Sequence, residues 1–97
     1  MIVELTVVPI GTGETSVSSY VKAAIKIIEE TGLDYQVNSM GTCVQGEWDE
    51  IFSTLKAVHE ELVKMGCNRI VTTVKIDDRR DKFDTMDAKV AAIGEDL

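Results

Sequence analysis

Two rhythms of apolar and polar positions run along this chain, and the switches between them mark its elements. "IVELTVVPI", from Ile2 to Ile10, is β-rich and nearly continuous in apolar character. Val3, Leu5 and Val7 share one face, Glu4 and Thr6 the other, and Pro9 marks the edge or end of the strand. "GTGETS" then supplies turn glycines and cap-type residues, and from Val17 to Thr31 the period becomes helical. Val17, Tyr20, Val21, Ala24, Ile25 and Ile28 form its stripe, which Gly32 stops where positive φ is cheap. "DYQVNS" alternates again, Met40-Gly41 turns the chain, and "TCVQ" returns as a short second strand of a hairpin. "EWDEIFSTLKAVHEELVKMG" is a second amphipathic helix with Trp48, Ile51, Leu55, Val58, Leu62 and Met65 inside. "RIVTTVKID" is the last long strand, with Ile70, Thr72, Val74 and Ile76 opposite Arg69, Thr73 and Lys75. A short helix bearing Met86, Val90 and Ile93 closes the chain.

The order is βαββαβ plus a terminal helix, an α+β chain forming one domain over residues 1–97. Its two βαβ halves fold most economically as a ferredoxin-like sandwich, an antiparallel four-stranded sheet with both long helices on one face. The helix-free face then carries Glu4, Thr6, Gln36, Asn38, Thr73 and Lys75, and either water or another subunit must meet it. A chain of 97 residues buries a modest share of its surface, so self-association is a natural source of extra stability.

Charge narrows the partners. The formal net charge of −7 opposes phosphate-backbone binding, and the one basic cluster, "KIDDRRDK", is interrupted by aspartates. Nucleic acid is therefore not an expected partner. No apolar run is long enough to span a bilayer, and "MIVELTVV" lacks the basic region of a signal peptide, which points to a cytoplasmic protein. Cys43 and Cys67 make no disulfide framework in such a compartment.

Several constellations invite chemistry. "MGTC" resembles half of a soft-metal loop, but the position for a second cysteine is Gly46. Heavy-metal-associated domains share this element order, yet carry their Met-x-Cys-x-x-Cys loop between the first strand and first helix. One thiolate in the central hairpin does not converge a ligand set, so no metal and no cofactor is expected. His59, the sole histidine, has no second imidazole or partnered serine to make a catalytic set, and no nucleophile, base and orienting group can be named together. A non-catalytic protein is the expectation. "GTGETS" lacks the lysine of a phosphate loop, but Thr15, Ser16 and Ser18 stand at a helix start where they cap it or meet an anion. Arg79 and Arg80 suit a phosphate or carboxylate, or ion pairs with their aspartate neighbours. These two clusters support an alternative reading, a regulatory oligomer for an anionic or phosphorylated metabolite.

Longer blocks are more specific. "VPIGTGETSVSSYV", "MGTCVQGEWDEI", "HEEL" and "RIVTTVKIDDRRDK" occur in order, and together the chain resembles the small thiamine-binding-protein family over nearly its whole length. The resemblance implies a ferredoxin-like subunit that assembles into dimers and usually tetramers and binds thiamine or its hydroxymethylpyrimidine moiety without catalysis. Where that family commonly has an acid before the hairpin glycine, this chain has Gln45. A glutamine amide can accept from an aminopyrimidine's amino group while donating to the adjacent ring nitrogen, the match by which Asn and Gln read adenine. Glu47 either compensates for the lost charge or serves the helix N-terminus. On this reading Ser16, Ser18, Asn38, Thr42 and Gln45 are polar contacts to the ligand, and Met40 and Trp48 are apolar walls, although the place of Trp48 at a helix start reads first as core.

Overall fold

The computed structural model describes residues 1–13, 17–83 and 85–95. Its elements are β1 (Ile2–Ile10), α1 (Ser18–Glu30), β2 (Asp34–Asn38), β3 (Gly41–Gln45), α2 (Trp48–Lys64), β4 (Arg69–Asp77) and α3 (Met86–Glu95). The strands lie in the order β2-β3-β1-β4, with every neighbouring pair antiparallel. That is the ferredoxin-like arrangement anticipated from the element order.

β1 is central rather than peripheral, and this refines the reading of Pro9. β1 pairs with β4 along its whole length but with β3 only from Ile2 to Leu5. Pro9 therefore falls in the half of the strand that has a single ladder neighbour, where a missing N–H is tolerated. The strand period sends Val3, Leu5 and Val44 into the core beneath the helices, where they meet Ala24, Ile28, Ile51, Val58, Leu62 and Cys67. Each large apolar side chain fully removed from water contributes about 1.5–3 kcal/mol, so this cluster is what holds the two helices on the sheet.

The helices end as the glycines predict. Thr31, the C-cap of α1, keeps αR geometry and Gly32 follows at φ 77°. Gly66, at φ 99°, does the same after Met65. At its start α1 departs from expectation: Val17 is the N-cap and makes no side-chain capping bond. Thr15 and Ser16 lie outside the described residues, and Ser18 is already the first residue of the helix. The inner stripe of α2 is narrower than the sequence pattern implies. Ile51, Thr54, Val58 and Leu62 are buried, whereas Trp48 and Met65 are exposed. Thr54 is compatible with the core because its hydroxyl donates to the Glu50 carbonyl 2.7 Å away. Trp48, in the first turn, stacks on Phe52 one turn later, with ring centroids 5.6 Å apart and an interplanar angle of 4°. It is not a core residue.

α3 changes the picture of the open face. By register, Gln36, Gln45 and Asp77 all point away from α1 and α2. α3 lies across that end of the sheet: the Met86 N–H donates to Gln45 Oε1 (3.1 Å), Gln36 Nε2 donates to Asp87 Oδ1 (3.4 Å), and Lys89 pairs with Asp77. Met86 is the one apolar residue of α3 to be buried; Val90 and Ile93 are exposed. The far end of the same face, with Val8 opposite Val71 and Ile10 beside them, is apolar and exposed. Among the described residues no helix is long and apolar enough to cross a membrane.

Candidate functional site

The β2–β3 hairpin builds one wall of a cleft. Asn38 pairs with Gly41, leaving Ser39-Met40 as a two-residue connection, one position earlier than the sequence suggests. Neither residue takes a positive φ, so this is not one of the primed hairpin turns. The tip is held against β1 instead: the Thr6 hydroxyl donates to the Met40 carbonyl at 3.2 Å. A side chain at Gly41 would put its first carbon 2.9 Å from the Leu5 carbonyl oxygen, so only glycine permits this approach.

Between that hairpin, the helix-facing side of β1 and the first turns of α1 lies a cleft of about 160 Å³. Val7, Pro9, Tyr20, Val21, Ala24 and Val37 are among its apolar lining. No charged side chain lines it among the described residues, in a chain whose net charge is −7. Its most enclosed hydroxyl is that of Thr42, a residue 9% exposed, and among the described residues that hydroxyl makes no hydrogen bond. Met40 stands at the mouth, 82% exposed. A rigid apolar pocket with one or two placed polar groups is the usual make-up of a site for a small organic ring.

Three of the residues singled out in the sequence, Asn38, Met40 and Thr42, meet at this cleft. Asn38 lines the cleft beside the turn, but by register its side chain shares the open face with Gln36 and Cys43, and its amide donates to Cys43 Sγ at 3.5 Å. Others lie elsewhere. Ser18 is exposed at the start of α1 and does not line the cleft. Gln45 is three residues from Thr42 along a strand, hence about 10 Å away and on the opposite face. There it borders a polar hollow with Asp34, Gln36 and Thr85, and its amide oxygen is occupied by Met86. Glu47 is the N-cap of α2, its N–H donating to Glu50 Oε1 at 2.9 Å, which is the helix-terminal role open to it from sequence. Trp48 follows it in the first turn of α2, away from the cleft.

Arg79 and Arg80 are held by their neighbours. Arg79 binds Asp81 through two bonds of 2.7 and 3.1 Å, and Arg80 binds Asp78 at 3.0 and 2.8 Å. The hydrogen bond from Arg79 keeps the Asp81 carboxyl below the ordinary range, and the bonds Arg80 donates to the Asp78 carboxylate raise the Arg80 guanidinium further. An external anion would have to displace these carboxylates. His59 bonds the Thr72 hydroxyl at 2.6 Å and ties α2 to β4. Cys67 is in the core. Sequence reasoning passed over Tyr20, Val21 and Val37 as cleft walls, because an apolar stripe reads as core whether or not it packs tightly. The phenol of Tyr20, an amphipathic group amid aliphatic ones, was the available signal.

Known proteins of the same build fit this description. A UPF0045 protein of Methanothermobacter thermautotrophicus is 42% identical over 95 residues, covering 97% of this chain and 96% of its own. A solved hypothetical protein of Methanocaldococcus jannaschii is 40% identical at a TM-score of 0.86, over 97% of this chain and 95% of that one. A candidate thiamine biosynthesis or salvage protein of Thermotoga maritima, 27% identical, superimposes at a TM-score of 0.82 over 95% and 96% of the two chains. The model of a family described as thiamine-binding protein matches residues 3–94. With that match running through both long helices and all four strands, the chain belongs to the thiamine-binding-protein family.

Proposed function

We propose that this protein is a non-catalytic binder of thiamine or its hydroxymethylpyrimidine moiety, acting as an oligomer in the cytoplasm in transport, storage or sensing. The observation that carries this reading is the uncharged cleft with the Thr42 hydroxyl enclosed in it. The Thr42 hydroxyl makes no bond to a described residue and stays open to the cleft, so it is free to bond a ligand, a contact worth about 0.5–1.5 kcal/mol. An aminopyrimidine offers both a donor and an acceptor at its edge and an apolar face for Val7, Tyr20 and Val21. The Thermotoga maritima relative points to the same chemistry. Assembly is supported by the apolar end of the open sheet face at Val8, Ile10 and Val71.

Calorimetric titration with thiamine and with hydroxymethylpyrimidine tests the reading. Saturable binding of either, without conversion of the ligand, is expected. Heat of dilution alone for both would end the proposal.

A further inference from the structure

We infer that the cleft is selective for a single uncharged ring: it takes the free aminopyrimidine alcohol, rejects its phosphate ester and gains nothing from the thiazolium of thiamine. This rests on the ligand class proposed above and goes on to say which member of it the protein selects.

Size is the first argument. An apolar cavity of about 150 Å³ holds one benzene-sized ring. The cleft here, at about 160 Å³, matches one ring and leaves no room for a second. It cannot readily widen. The hairpin wall is fixed to β1 by the Thr6–Met40 bond, and at Gly41 the two backbones already approach to the limit that only glycine allows. The opposite wall is α1, anchored through buried Ala24 and Ile28.

Charge is the second. Neither a carboxylate nor a basic side chain lines the cleft among the described residues. A phosphate drawn in behind the ring would lose its water and find no cation among the described lining residues, which is costly in apolar surroundings. The net charge of −7 adds long-range repulsion. Among the described residues a thiazolium meets no counter-charge in the cleft either, so the second ring of thiamine stays in water, where the attraction of the net charge of −7 is screened by salt and leaves the affinity close to that of the alcohol.

The experiment is calorimetry with three probes, hydroxymethylpyrimidine, its monophosphate and thiamine, on the full chain and on Val21→Trp. That substitution fills the cleft from a half-exposed position of α1. Thermal melting checks that the variant is folded, and Val37→Phe fills the cleft from the hairpin side if it is not. The expected result is binding of the alcohol, at least tenfold weaker binding of the monophosphate, thiamine no tighter than the alcohol, and loss of all binding in the filled variant. Thiamine or the monophosphate binding more tightly than the alcohol, with the filled variant still inactive, overturns the selectivity while leaving the thiamine-family ligand in place. Binding that survives in a folded, filled variant overturns the cleft as the locus. Absence of binding by all three probes defeats the ligand class, and the selectivity with it.

Discussion

Thr42 and Gln45 show how much depends on a spacing of three. In a strand such residues face opposite sides, so one opens into the cleft while the other meets α3. Their substitutions are expected to separate accordingly. Thr42→Val removes a hydroxyl that has no partner among the described residues, so the melting temperature is expected to hold or rise slightly. Ligand affinity in the same variant is expected to fall by about 1–3 kcal/mol, read by titration. Gln45→Leu is expected to do the reverse. It deletes the acceptor for the Met86 N–H, costing about 0.5–1.5 kcal/mol in a denaturant melt, and leaves pyrimidine affinity unchanged. A Gln45→Leu protein that folds normally but no longer binds would instead give the amide the recognition role suggested by its place before Gly46.

At the level of elements, the strands, the long helices and their glycine stops were legible because each is written in a local period or a single residue. Gly32 and Gly66 sit where the apolar stripes end, and both adopt the positive φ that ends require. The docking of α3 was not legible. Its ties join Gln36 to Asp87, Gln45 to Met86 and Asp77 to Lys89, partners brought together only by the sheet's strand order. The cleft was half legible: the polar letters of "NSMGT" pointed to it, whereas its apolar walls carried the same pattern as packed core. Trp48 misled because a stripe position in the first turn of a helix can project beyond the sheet that the stripe covers. The α3 contact also makes a pH prediction. The hydrogen bond and charge of Lys89 hold the Asp77 carboxyl below its ordinary value, so the pair stabilises the docked helix at any pH above the unfolded aspartate value of about 3.9. That contribution is lost as pH falls through the lowered folded value. Hydrogen exchange at the α3 amides is expected to accelerate, relative to the rest of the chain, on acidification below about pH 3.9, and Lys89→Ala is expected to flatten the effect.

For the whole molecule, the decisive feature is a sheet with one face packed and the other only part covered. α3 occupies one end of the open face, and Val8, Ile10 and Val71 lie bare at the other. Light scattering at micromolar concentration is expected to give a multiple of the 10.7 kDa chain, and Val71→Asp is expected to shift it toward the monomer without unfolding it. A parent protein that scatters as a monomer would remove assembly from the proposed function. β4 carries a related hazard. It is one of the two outer strands and the longer of them, paired with β1 at nine successive positions, with no slip in register and no proline to interrupt its free side. Such a margin is a template for any extended chain that reaches it, and proteins without bulges or inward charges there are prone to aggregate edge to edge. Here the seven net negative charges supply the restraint at a distance, and salt removes it. A preparation forced to the monomer is thus expected to cloud on standing at high ionic strength and stay clear at low, so the solution conditions that best reveal the single subunit are the dilute, salt-poor ones.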